Sequence, residues 1–312
     1  MSALQWRDWS CAVRVVLADG RPHAGAPAAA DGARAERVVR GLMDDVALAA
    51  SRFRTDSDLS RINAAAGSPV PVGPLTIHLV RVALDAARAT GGACDPTVGR
   101  HLEAAGYVTD IEVLRSFGAT AGRSTPGGRP APRADHTAVL VDAERGRVSV
   151  PAGLALDLGS TAKAWTADEA ARRVAATLGV PALVSIGGDV ASSGEHSWPV
   201  LVSEHEGGPG EVVPLARGGI ATSSTRSRRW AGDDGEDRHH VIDPATGLPT
   251  DGAVRTATVL AATCAEANAL STAALVWGTG AADRLRDHAA RLVLADGRVV
   301  TTAGWPHGEV AA

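Results

Sequence analysis

Only three cysteines, Cys11, Cys94 and Cys264, occur among 312 residues, and they lie far apart. No CxxC pair and no Cys/His zinc spacing is present, which excludes a disulfide framework or a zinc ribbon and points to buried, reduced thiols. Basic charge is also short. Lys and Arg total 31 against 35 Asp and Glu, for a net charge of −4, so no surplus exists to neutralise a nucleic-acid backbone. Long apolar runs are missing throughout, and with them any membrane-spanning segment. The opening stretch, MSALQWRDWSCAVRVVLADG, lacks the basic-then-apolar order of a signal peptide, so a cytoplasmic location is expected. The nucleotide loop GxxxxGK[ST] appears nowhere.

What is present suits a globular chain rich in turns: 45% hydrophobic and 21% charged residues, with 35 Gly and 17 Pro. The length accommodates one large domain or two small ones, and no internal repeat is evident. Residues 10–18 read as a strand, followed by a Gly/Pro/Ala-rich loop to about residue 34. Helical periodicity runs from Arg37 to Arg52 and from Thr76 to Thr90, the second ending at Gly91-Gly92. The segment 118–136 has little to bury and is expected to be an exposed, mobile loop within one domain spanning 1–312. A hairpin over 138–150 turns near Gly146, a helix over 161–178 stops at Gly179, and ALVSI after Pro181 is a strand. Further strands are expected at 199–203, 211–215 and 254–261, and helices at 265–277 and 281–290. Asp296-Gly297 signals a closing hairpin. Hairpins and helices mix without regular alternation, which predicts an α+β fold of mainly antiparallel sheets with packed helices.

The most informative stretch is Asp157-Leu158-Gly159-Ser160-Thr161-Ala162-Lys163. It follows the apolar run Leu154–Leu156 and precedes a helical pattern, so a strand turns sharply into a helix. The N–H groups and partial positive charge of a helix N-terminus suit an anion, and Lys163 adds a full charge one turn in. The pattern reads as a phosphate or metal–phosphate site. Other segments are ambiguous alone. In Phe53–Asn63, Ser57 or Asp56 is a candidate N-cap and Phe53 a candidate stacking face for an aromatic ligand. Asp95-Pro96-Thr97 opens a turn, with Tyr107, the sole tyrosine, downstream. Gly187-Gly188 before Asp189 permits positive φ and close backbone approach. In His239-His240-Val241-Ile242-Asp243, His240 and Ile242 share one strand face. Adjacent histidines point to opposite faces, which disfavours zinc and favours a base-capable His240. Asn268 and Thr272 are four apart on one helix face, and both carry hard oxygen donors.

Taken in order, these segments resemble the ApbE family of flavin transferases. The matching stretches are SDLSRIN at 57–63, DPTVG at 95–99, DLGSTAKA at 157–164 and GGD at 187–189, then ATSS at 221–224, HVIDPATGLP at 240–249 and ANALST at 267–272. The resemblance implies a T-fold-like architecture and transfer of FMN from FAD to a Thr or Ser hydroxyl of an acceptor protein, with release of AMP and a need for Mg²⁺. It also leaves open an FAD pyrophosphatase, yielding FMN and AMP, or a flavin-binding protein without turnover. By the same resemblance Ser160 (through its backbone oxygen), Asn268 and Thr272 would hold the metal. Phe53, Gly106, Tyr107, Asp157, Lys163, Thr222 and Ile242 would hold FAD, and His240 with Asp243 would serve the reacting phosphate. Asn268 stands where the family usually has Asp, so weaker metal binding, completed by the FAD phosphates, is expected. Ser160, Ala164 and Ser224 likewise replace family glycines.

Overall fold

The structure is a computed structural model that describes residues 2–18, 28–117, 131–205, 207–232, 235–302, 304–306 and 309–311. The chain begins with β1 (Ser2–Asp8) and β2 (Cys11–Leu17), followed by α1 (Ala28–Ala50), α2 (Asp58–Ala64), β3 (Val70–Pro71) and α3 (Pro74–Ala89). The short helices α4 (Gly99–Ala104) and α5 (Ile111–Phe117) precede β4 (Leu140–Asp142), β5 (Arg147–Ser149) and α6 (Ala162–Leu178). A long β run comes next: β6 (Ala182–Ile186), β7 (Asp189–Ser193), β8 (Trp198–Ser203), β9 (Gly210–Leu215), β10 (Gly219–Ser224), β11 (Arg229–Ala231), β12 (Asp237–His239) and β13 (Val254–Ala261). The chain ends with α7 (Cys264–Trp277), α8 (Ala281–Arg284), β14 (Ala289–Leu294), β15 (Val299–Thr301) and β16 (Glu309–Ala311).

An eight-stranded sheet in the order β1-β2-β6-β7-β10-β13-β14-β15 forms the spine. Every pairing in it is antiparallel. The fold is therefore α+β, as the mixed pattern of hairpins and helices implies. Alternation along the strands assigns the two faces. Val13, Val15 and Leu17 of β2 and Ala182, Val184 and Ile186 of β6 pack with α1, α3 and α6 in the largest core. Leu183 and Ile220 point the other way, against Trp198, Val213 and Leu215 of the small β16-β9-β8 sheet. A further core joins α7 and α8 to β13 and β14. α6 buries Ala164, Ala167, Ala170 and Ala171, small side chains that let the helix lie close to α1 and the sheet.

Several expected boundaries shift. α1 starts at Ala28, well before Arg37, because the alanine-rich stretch carries the helix through Asp31 and Gly32. The 281–290 helix is only Ala281–Arg284. Ala289 and Ala290 instead pair with Leu260 and Val259 of β13, a case of sheet pairing overriding alanine's helical preference. β1 carries no turn signal of the usual kind: Trp9 and Ser10 take positive φ (47° and 57°) where Asn-Gly would be expected. The expected loop at 118–136 lies outside the described residues as far as 130. Among the described residues, no helix is long and apolar enough to cross a membrane.

Candidate active site

The corner near residue 160 is assembled from distant parts of the chain. Asn63 clamps the incoming backbone: its Oδ1 accepts from Leu156 N at 2.7 Å and its Nδ2 donates to Leu156 O at 2.9 Å. Asp157 Oδ1 then accepts from Gly159 N at 2.8 Å, which turns the chain into α6. Asp157 Oδ2 pairs with Arg52 Nε at 2.6 Å, and both side chains are nearly buried. The Arg52 guanidinium lies 4.3 Å above the Phe53 ring centroid and 4.6 Å from that of Tyr107. Tyr107 stacks on Trp230 at 5.1 Å and meets Phe53 edge-on at 5.6 Å. Tyr107 is buried, which pushes its phenol pKa up, whereas Phe53 is 41% exposed. The result is an aromatic shelf with one open ring, a surface suited to stacking.

A two-residue turn, Gly187-Gly188, joins β6 to β7 with φ of +62° and +99°. A Cβ on Gly187 would sit 2.9 Å from that of Cys11, so the tight turn that brings Asp189 to the rim requires glycine. Asp189 Oδ1 accepts from Asn268 Nδ2 at 2.6 Å. Lys163 Nζ lies 3.3 Å from Asp189 Oδ2 and donates to Gly159 O at 2.9 Å. Thr272 Oγ1 is 3.4 Å from Asn268 Oδ1 and 3.0 Å from Ser223 Oγ. The α6 side chain Asp168 reaches the N-terminus of α7, accepting from Cys264 N at 2.8 Å and Ala265 N at 3.0 Å. That cap sets the helix of Asn268 and Thr272 against the helix of Lys163.

His240 stands across the cleft, just past β12. Among the described residues its Nδ1 is buried without a partner. Burial, followed by the nearby charges of Arg228 and Lys163, lowers its pKa well below the ordinary value, and the ring also meets the backbone of Arg228. The imidazole is therefore neutral near pH 7 and able to accept a proton. His239 faces elsewhere, with Nε2 3.3 Å from Thr250 O. Among the described residues no group of three or more His, Cys, Asp or Glu could hold a metal. The cysteines are likewise poor nucleophiles, since burial raises all three thiol pKa values, that of Cys94 to about 11.

One cleft of about 860 Å³ gathers most of the residues singled out in the sequence. Phe53, Tyr107 and Ile242 line its aromatic end. The strand expected over Leu154–Leu156 is only an isolated bridge from Ala155 to Val98, so an irregular segment rather than a strand leads into α6. Asp157, Ser160 and Lys163 line the cleft at that turn, and Thr222, His240, Asn268 and Thr272 complete it. Thr222 Oγ1 shares a hydrogen bond with Thr258 at 2.9 Å. Two residues are placed differently. Gly106 does not line the cleft; with φ +92° it turns the chain so that Tyr107 does. Asp243 does not line it either, since its carboxylate accepts from Ala245 N at 2.8 Å and Thr246 Oγ1 at 3.3 Å and so folds its own loop. The strand expected to run through His240 and Ile242 ends at His239, and Ile242 makes only an isolated bridge to Pro249. Two cleft-lining groups, Arg228 and Asp189, carried no assigned role in the sequence, and neither did Arg52 behind the aromatic shelf. The Gly-Gly-Asp triplet was a usable signal for Asp189; Arg52 and Arg228 offered none.

Chemically, the cleft pairs a stacking surface with a polar end holding Lys163, Arg228 and the neutral His240. Beside them are hard oxygens from Asn268, Thr272 and Asp189. Oxygen donors of this kind fit Mg²⁺ better than a softer metal.

Comparison with known proteins agrees in extent and fold. The profile of the ApbE family matches residues 9–293. The FAD:protein FMN transferase of Treponema pallidum is 30% identical over 305 residues, covering 87% of this chain and 79% of its own. That of Salmonella typhimurium is 30% identical over 243 residues, covering 73% and 67%. The crystal structure of the ApbE protein from Thermotoga maritima superimposes with a TM-score of 0.82 at 26% identity over 97% of both chains. The Pseudomonas stutzeri flavinyl transferase ApbE, at 21% identity and a TM-score of 0.76, is alike in fold. With one profile spanning nearly the whole chain and one fold shared end to end, the chain belongs to the ApbE family.

Proposed function

We propose that this enzyme is an FAD:protein FMN transferase: it moves FMN from FAD to a Thr or Ser hydroxyl of an acceptor protein, releases AMP, and uses Mg²⁺. One observation carries the reading. A single cleft holds an open aromatic ring, two cations and a neutral histidine, the three things a flavin, a pyrophosphate and an acceptor hydroxyl require.

The isoalloxazine ring stacks on Phe53, steadied by the Arg52–Asp157 pair beneath. Lys163 and Arg228 draw charge from the bridging phosphates and need no reorganisation as it builds. The acceptor Oγ attacks the FMN phosphorus, a new P–O bond forms, the bond to the AMP phosphate breaks, and AMP leaves with the electron pair. His240, neutral and with a free Nδ1, takes the hydroxyl proton or orients the hydroxyl in line. Asp243 supports this indirectly by shaping the loop behind Ile242. Asn268, Thr272 and the backbone near Ser160 are the residues that would hold Mg²⁺, which when bound spreads the negative charge of the pyrophosphate oxygens.

Incubation with FAD, Mg²⁺ and an acceptor flavoprotein domain tests this. The expected result is AMP release together with a mass gain of one FMN on a Ser or Thr of the acceptor. FMN and AMP without an adduct would indicate a pyrophosphatase, and FAD bound without AMP release a non-catalytic flavoprotein. Either outcome overturns the transferase reading.

A further inference from the structure

The reading above assigns no part to Asp189, although it lines the cleft and holds Asn268. It is 2% exposed. Among the described residues its Oδ2 is buried with no hydrogen-bond donor, and Lys163 Nζ lies 3.3 Å from it. A buried carboxylate oxygen without a donor is costly, and such an oxygen is suited to a cation. Asp189 also settles which way Asn268 faces. A carboxylate can only accept, so the amide must present Nδ2 to it, as the 2.6 Å contact shows. The amide oxygen is thereby turned toward Thr272 Oγ1, 3.4 Å away. Residue 268 is neutral here, so any carboxylate charge for a metal at this cluster must come from elsewhere. The other carboxylates nearby are engaged: Asp157 is held by Arg52 and Gly159, and Asp168 caps α7.

We propose that Asp189 makes Asn268 a metal ligand: it fixes the amide with its oxygen toward Thr272 and supplies, through Oδ2, the negative charge that residue 268 lacks. The inference rests on the reading of this cleft as a divalent-cation site. Lys163 competes for the same carboxylate, so the cation binds weakly until phosphate oxygens draw the ammonium away.

Mn²⁺ binding to the full chain without nucleotide, followed by water-proton relaxation, tests it. Mn²⁺ shares the preference of Mg²⁺ for oxygen donors. Native protein should bind the ion. Asp189→Asn, which keeps the shape and still offers Asn268 an acceptor, should weaken binding by about tenfold or more, the scale of losing an orienting partner. The exchange Asp189→Asn with Asn268→Asp keeps one carboxylate and one amide in contact, and should restore affinity to within a few-fold of native. Unchanged affinity in Asp189→Asn, failure of the exchange to restore it, or no Mn²⁺ binding by native protein would each overturn the proposal. Thermal unfolding checks each variant, and if Asp189→Asn does not fold the exchange alone decides. AMP release by native protein, measured alongside, keeps the two readings apart. Transfer with an unaffected Asp189→Asn sinks only the role of Asp189, and Mn²⁺ binding without transfer sinks only the transferase.

Discussion

Lys163 is the only lysine in the chain, and it is spent inside the cleft, 17% exposed against a side chain of Asp189 that is 2% exposed. Breaking a buried pair by removing one partner costs about 3 kcal/mol or more, so Lys163→Met should lower the unfolding midpoint visibly. It should also cut the rate of AMP release by about 10²-fold, as loss of a preorganised charge does. A full rate would mean that the ammonium is a structural counter-ion only. His240 makes a prediction of its own. Burial lowers its pKa well below the ordinary value, so the proton-accepting form persists into mild acid. The acid limb of the rate–pH profile should fall well below pH ~6.5, and His240→Gln should lose about 10²-fold or more. An acid limb at or above that pH would remove His240 as the base. Phe53→Ala should leave folding intact, because the ring is 41% exposed. Loss of a stacking worth about 1 kcal/mol should raise the KM for FAD several-fold with little change in kcat.

At the scale of elements, the cleft depends on how α7 docks. Asp168 accepts from the backbone of Cys264 and Ala265, and Thr263 accepts from Glu266 N, so the helix carrying Asn268 and Thr272 is capped twice, once from α6. Asp168→Ala should destabilise the protein by about 1–2 kcal/mol, read by chemical denaturation, and should weaken FAD binding as well. Destabilisation without any effect on FAD would show that the cap holds α7 but not the cleft. Gly99 makes a second such joint, since a Cβ there would lie 2.7 Å from Ala155 O. The backbone of Gly99 itself donates to that oxygen at 2.9 Å, which ties the Asp95-Pro96-Thr97 turn to the segment leading into α6. The helices and strands were legible where their period was clean: α3 between its leading Pro74 and Gly91, α6 up to Gly179, β6, β13 and the closing hairpin. They were not legible where pairing overrode propensity, as at Ala289, or where a turn used residues that do not advertise one, as at Trp9-Ser10.

For the whole molecule, three histidines tie stability to pH. His101, His239 and His240 all have lowered pKa values, each chiefly through burial. In the unfolded chain they take up protons near pH 6.5; in the fold they do so only at lower pH. Between those values the unfolded state binds more protons, so stability rises with pH across that window. The contribution is complete above about pH 6.5 and is lost as the pH falls below it. The thermal midpoint should therefore drop as the pH is lowered from 7 to 5, and His240→Gln should flatten part of that slope. A midpoint that holds level to pH 5 would contradict the burial of these rings.

The sequence by itself determined the residue types on offer and their order along the chain: the turn into a helix at 157–163, His240, the oxygen pair at 268 and 272, and an α+β pattern of antiparallel hairpins. Periodicity, caps and turn residues are local physics, acting over a few residues, so a single strand of text records them. Tertiary structure alone decided that Arg52 pairs with Asp157, that burial, helped by Arg228 and Lys163, keeps His240 neutral, and that Asp189 grips Asn268 across 79 residues of chain. Those partners meet only because packing of the sheet and helices buries their surroundings. Contact between residues so far apart leaves no period or spacing by which it could be read in advance.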